Sequence, residues 1–168
     1  MRRTLTLALI ILTALLLQST VFSGVRLVGV RPQLIYMVTI LIAMLEGPRS
    51  GAVAGFAAGM AEDILLNHPG KGATALTLTL LGYSIGMFRQ YIVTPSPWLP
   101  AMLVAGGTAA GIFFYGVITF LIGQLDAGWA YLVKAALLSG LYNAVLTPVL
   151  YPVIRRVTQS SHRSKVFR

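Results

Sequence analysis

Six apolar runs separated by short polar breaks fill the chain from Thr4 to Ile154. They cover residues 4–22, 34–45, 51–66, 73–93, 98–122 and 129–154. Crossing a hydrocarbon core of roughly 30 Å at about 1.5 Å per residue takes about 20 apolar residues in a helix. A helix satisfies its own backbone inside lipid, and the two-residue alternation of a membrane β-barrel is absent. The pattern therefore predicts an all-α membrane protein, a bundle of six transmembrane helices. The second run is the short one, and Arg26 and Arg31 interrupt what precedes it. It either starts with Pro32 as a first-turn proline or takes in an interfacial stretch before that residue. The expected organisation is one membrane domain over 1–154 followed by a short basic tail over 155–168, with no repeat of fixed period and no low-complexity linker.

Composition agrees with this reading: 57% of the residues are hydrophobic and only 10% are charged, too few to cover a soluble globule of this size. The first run has the form of a signal peptide, with Arg2 and Arg3 before it and small residues near Ser23. Five further hydrophobic runs follow, and an uncleaved first span is expected. The net charge of +9 raises nucleic acid as a partner, but the placement of the basic residues argues against it. Six spans with the N-terminus inside put Arg2, Arg3, Arg49, Arg89, Arg155, Arg156, Arg163, Lys165 and Arg168 in the cytoplasm. Only Arg26, Arg31, Lys71 and Lys134 fall outside. The charge thus reports orientation, both termini cytoplasmic in a bacterial inner membrane, with an anionic-lipid contribution from the tail. The tail has no interleaved aromatics, so no nucleic-acid partner is expected. Cysteine is absent, which removes disulfides, thiolate metal sites and thiol catalysis together.

The informative residues are small or polar. Gly51, Gly55, Gly59 and Asp63 recur every four residues, placing three glycines and a carboxylate on one helix stripe that another helix must approach closely. Packing within the bundle is preferred to a dimer seam there. Gly82/Gly86 and Gly107/Gly111 repeat the pattern and suggest a tight bundle, while Gly107, Gly111 and Gly116 also make the 98–122 span the candidate for an exposed face offered to a partner. Asp63 and its neighbour Glu62 fall at the outer end of the third helix, where Asp63 is expected to cap or fix the following turn of Pro69, Gly70 and Gly72. His68 completes a metal set with them only on paper. Asn143, with Ser139 and Thr147 at spacing four, points into the bundle, and counting from helix ends sets it deeper than Gln18 and Asp63. Pro148 and Pro152 bend the last helix, with Thr147 able to re-satisfy freed backbone groups. Trp98, Trp129 and Tyr131 are read as interfacial anchors. No zinc-protease His-Glu-x-x-His, nucleophile elbow or phosphate loop is present, so no catalytic, cofactor or metal residues are assigned and no enzyme is expected.

In order along the chain stand Gln18-Ser19, Arg31-Pro32-Gln33-Leu34, Gly51-x3-Gly55-Phe56-x2-Gly59-x3-Asp63-Ile64-Leu65, Pro69-Gly70-x-Gly72-x2-Ala75-Leu76 and Gly82-Tyr83-x2-Gly86. This succession resembles the bacterial rod shape-determining protein MreD family over nearly the full length. Each motif alone is a packing pattern, and their order is what is distinctive. Gln33 departs from the acidic residue or Asn expected there, so no role rests on a charge at that position. The resemblance implies a non-enzymatic inner-membrane subunit of the cell-elongation complex (elongasome), supporting peptidoglycan synthesis. Its implied partners are the scaffold MreC first, then RodA, its transpeptidase partner and MreB. The family also looks like the S-component of energy-coupling-factor vitamin transporters in its helical fold. A small-molecule-binding S-component, with a pocket near Gln18 and Asp63, is therefore the alternative reading.

Overall fold

The computed structural model describes residues 2–20, 33–65, 72–89, 98–123 and 128–163, with side chains described for 6–20, 33–65, 72–89, 98–123 and 128–158. The described residues form six helices and no strand: α1 Arg2–Thr20, α2 Leu34–Glu46, α3 Pro48–Leu65, α4 Ala73–Phe88, α5 Leu99–Leu121 and α6 Trp129–Arg163. Two stretches, Leu99–Leu121 and Trp129–Thr158, are long and apolar enough to cross a bilayer by length and composition. Thr6–Thr20, Leu34–Glu46 and Ala73–Phe88 are shorter apolar helices. Past Ile154 the helix α6 continues into the segment expected as a basic tail, reaching Arg163. Loss of hydrophobicity ends a span, yet 155–163 contains no glycine or proline to end a helix.

The architecture turns on α2. Every residue from Leu34 to Ala43 is buried, and α2 packs against each of the other five helices. A helix apolar on all sides is stable only when surrounded, and here the surround is protein. Its 13 residues span about 20 Å, well short of the roughly 30 Å of a bilayer core. The helix ends on Gly47, whose φ of 95° lies in the left-handed region and whose N–H donates to the Ala43 carbonyl at 2.8 Å. Pro48 then starts α3 at once, in the one helical position where its missing N–H costs nothing.

The third and fourth helices meet backbone to backbone. A Cβ at Gly51 would lie 2.5 Å from the Gly82 carbonyl oxygen and one at Gly59 2.5 Å from Ala75 Cα, while one at Gly55 would fall on the Leu78 carbonyl oxygen. Gly86 sits equally tightly against Pro48. The pair is antiparallel, and its glycines serve contact within the chain. Three glycines of α5 are also internal, in keeping with a tight bundle, which corrects the expectation that they form an exposed partner face. Gly107, Gly111 and Gly116 are all buried. They receive side chains from neighbouring helices: a Cβ at Gly107 would stand 2.8 Å from Ile40 Cδ1, one at Gly111 2.6 Å from Tyr36 Cε1, and one at Gly116 would collide with Leu132. Gly106 is the glycine of this helix that faces open space, and a methyl group added there would meet nothing within 4 Å.

These contacts separate two otherwise similar substitutions. Gly55→Ala forces α3 away from the α4 backbone, which cannot give way as a flexible side chain can, and should lower stability by about 1–3 kcal/mol. Gly106→Ala should leave stability unchanged or slightly raised. Thermal unfolding of both variants in detergent checks this, and equal midpoints contradict the packing described.

Candidate functional site

A helix start leaves its first N–H groups without intrahelical partners, and the start of α2 is buried. The residue before it, Gln33, contributes no side-chain cap. One distant residue supplies an acceptor for such an N–H, and a second binds the carbonyl just before the helix. Gln18 of α1 accepts the Ile35 N–H on Oε1 at 3.1 Å and donates from Nε2 to Glu62 Oε1 of α3 at 2.8 Å. Asn143 of α6 donates from Nδ2 to the Gln33 carbonyl at 2.8 Å and to Thr108 Oγ1 of α5 at 3.2 Å. Gln18 and Asn143 therefore act two residues apart along α2. This corrects the expectation that counting from helix ends separates them in depth. The count misleads because α2 starts inside the bundle rather than at its edge.

Asp63 performs the equivalent task for α4. Gly72, the residue preceding that helix, has a left-handed φ of 94° and no side chain with which to cap. Asp63 Oδ2 accepts the N–H groups of Gly72 at 2.8 Å and Ala75 at 3.2 Å. A carboxylate at a helix N-terminus also complements the positive end of the helix dipole. Through one amide, one carboxylate and one further amide, all six helices are tied together: Gln18 joins α1, α2 and α3, Asp63 joins α3 to α4, and Asn143 joins α6 to α2 and α5.

The polar atoms are mostly consumed by this work. Glu62 and Asp63 are only 5% and 1% exposed, and Asn143 is fully buried. Glu62 Oε2, Asp63 Oδ1 and Asn143 Oδ1 have no partner among the described residues. Thr147 donates to the Asn143 carbonyl at 2.7 Å, so it reinforces the turn above Pro148. The Ala144 carbonyl, which Pro148 deprives of its N–H, is not its acceptor, contrary to the expectation that Thr147 re-satisfies the freed group. Among the described residues no cluster of three His, Asp or Glu is placed to hold a metal ion. Pro32, His68 and the Pro69-Gly70 turn lie outside the described residues. The arrangement can fix helix positions and present the outer faces of the bundle at constant geometry.

Sequence reasoning passed over two members of this set, Glu62 as a bundle residue and Thr108. A signal for both exists in the buried positions at helical spacing. On α3 these run Gly51, Ala54, Gly55, Ala58, Gly59, Glu62, Asp63, so Glu62 continues the stripe three residues after Gly59. On α5 they run Val104, Gly107, Thr108, Gly111, Ile112.

The family model for rod shape-determining protein MreD matches residues 1–160 of the chain. No curated protein matches. No solved structure matches, and the expected likeness to transporter S-components therefore rests on the sequence resemblance alone.

Two measurements probe the site. Gln18→Leu and Glu62→Leu remove the two ends of one hydrogen bond, so their destabilisations should be non-additive. The coupling should be about 0.6–1.7 kcal/mol in a double-mutant cycle, the range found for membrane bundles; strictly additive effects contradict the pairing. At the α4 cap, Asp63→Leu should cost about 1–2 kcal/mol and Asp63→Asn less, because the amide keeps an acceptor for Gly72 and Ala75. Equal loss in both variants, read by thermal unfolding, shows that the charge itself is required.

Proposed function

The chain belongs to the MreD family of rod shape-determining proteins, and from that premise we propose that it is a six-span inner-membrane subunit of the cell-elongation machinery that supports peptidoglycan synthesis by binding the scaffold MreC. The family is one of membrane proteins that determine cell shape and is not a known enzyme family. In this reading 1–154 is the membrane domain and α6 carries its basic extension into the cytoplasm. RodA, its transpeptidase partner and MreB belong to the same machinery.

The observation that best supports a positioning role is the way the interior is used. The buried amides and carboxylates hold helix starts, and the buried glycines hold helix contacts. What is left for a partner is the outer surface. With Gly107, Gly111 and Gly116 turned inward, the docking face moves to the groove between α4 and α5. This groove encloses about 660 Å³ and is lined among others by Leu80, Ser84, Phe88, Met102, Gly106 and Ala110. Gly106 and Ala110, one helical turn apart, form the small-residue floor that lets a helix approach closely in lipid. A single transmembrane helix of MreC suits that floor, since apolar groups gain little from leaving lipid and close backbone approach supplies the attraction.

The chain has no cysteine, so single cysteines report cleanly. Gly106→Cys and Ala110→Cys should crosslink to cysteines in the MreC transmembrane helix, whereas Leu137→Cys on α6 should not. Crosslinks confined to α6 move the interface, and none at all, with no co-purifying MreC, overturns the functional reading. Reporter fusions at Arg168 and within 67–72 should lie on opposite sides of the membrane, with the C-terminal reporter cytoplasmic. The same side for both contradicts six spans.

A further inference from the structure

A second groove adjoins the first at Met102 and lies between the N-terminal half of α5 and the part of α6 that carries Pro148. It also encloses about 660 Å³ and is lined by Trp98, Met102, Ala105, Val145, Pro148 and Tyr151, among others. It differs from the α4/α5 groove in what stands at its mouth. Trp98 is 74% exposed at the start of α5, and Tyr151 faces the same opening from α6. Indole and phenol rings prefer the depth where acyl chains meet headgroups. Ala144, Pro148 and Tyr151 line the groove, and Arg155 follows them at the spacing four, three, four that keeps residues on one face of a helix. The Arg155 side chain is exposed. An apolar trough, an aromatic collar and a guanidinium thus succeed one another along a single line.

That order matches the order of groups in a phospholipid. We propose that the α5/α6 groove binds an anionic phospholipid of the leaflet that meets the Trp98 and Arg155 end of these helices, one acyl chain lying against Val145 and Met102 and the phosphate meeting Arg155. Val145 and Met102 are 68% and 71% exposed, so neither is committed to the protein's own core. The guanidinium offers a planar pair of donors to phosphate oxygens, and charge selects an anionic over a zwitterionic headgroup. Arg156 is equally exposed but lies about 100° round the helix from Arg155, away from the groove, and serves as the internal control. The inference rests on the reading that α5 and α6 are embedded in lipid, but not on which side is cytoplasmic.

The chain holds two tryptophans, and Trp129 begins α6 at the other end of that helix. In a Trp129→Phe background, fluorescence of Trp98 reports the groove mouth directly. The probes are phosphatidylglycerol and phosphatidylcholine carrying brominated acyl chains, titrated into mixed micelles of the full chain. Brominated phosphatidylglycerol should quench Trp98 at about one-fifth the mole fraction that phosphatidylcholine needs. Arg155→Gln should abolish that preference, Arg155→Lys should retain part of it, and Arg156→Gln should leave it intact. Val145→Phe, which fills the trough from an exposed position, should weaken quenching by both lipids without lowering the unfolding temperature. Equal quenching by the two lipids in the parent chain assigns the groove to unselected lipid or to a partner's helix and overturns the proposal. So does a preference lost equally in Arg155→Gln and Arg156→Gln, which signals diffuse attraction, or quenching unchanged by Val145→Phe. None of these results bears on crosslinking at the α4/α5 groove, so the two readings fail separately.

Discussion

The buried first turn of α2 is the constraint on which the remaining structure depends. A helix that starts inside a bundle exposes unpaired N–H groups to an apolar interior, and each one left alone costs about 1–3 kcal/mol. Gln18 meets that requirement by accepting the Ile35 N–H, while Asn143 donates to the Gln33 carbonyl just before the helix. Gln18 also donates to Glu62, and Asn143 also donates to Thr108. Helices α1, α3, α5 and α6 are thereby fixed around α2 by groups whose first duty is to its terminus. Asp63 repeats the solution one helix further on, where Gly72 has no side chain to cap α4.

The close α3/α4 pairing works by a different force. Burial of apolar side chains gives little net gain when the alternative is lipid, so contact relies on dispersion between closely approaching backbones. Glycine at every fourth position makes that approach possible from Gly51 to Gly59, and Gly82 and Gly86 answer it from α4. Interior polarity fixes where the helices are, and interior glycine fixes how near. Both leave the outer grooves beside α5 open, one floored by Gly106 and Ala110 and the other lined by Val145, Pro148 and Tyr151.

How much of this was legible in the sequence follows from the same physics. The six helical runs were readable because lipid imposes length and polarity rules on them. The Gly51, Gly55, Gly59 stripe was readable as a contact face because repeated glycine in a helix has few other uses. The placement of Gly107, Gly111 and Gly116 on an exposed face was not correct, since lipid and protein interior are equally apolar and hydrophobic pattern does not distinguish them. Only the knobs of Ile40, Tyr36 and Leu132 reveal which way those glycines point. The convergence of Gln18 and Asn143 was hidden for a related reason: α2 reads as a short span, and nothing in its sequence announces that its start is internal. The run of α6 to Arg163 escaped notice because a change from apolar to basic residues ends a span without ending a helix.

The most direct test of the central role of the α2 terminus is the hydrogen exchange of the Ile35 amide in the full chain, compared between the parent and Gln18→Leu. If Gln18 holds the start of α2 inside the bundle, this amide exchanges in the parent only through global opening, as slowly as the core of α2. In the variant it becomes faster than the amides one turn further along the helix. Rapid exchange of Ile35 in the parent, or no change on removal of the Gln18 acceptor, contradicts the account.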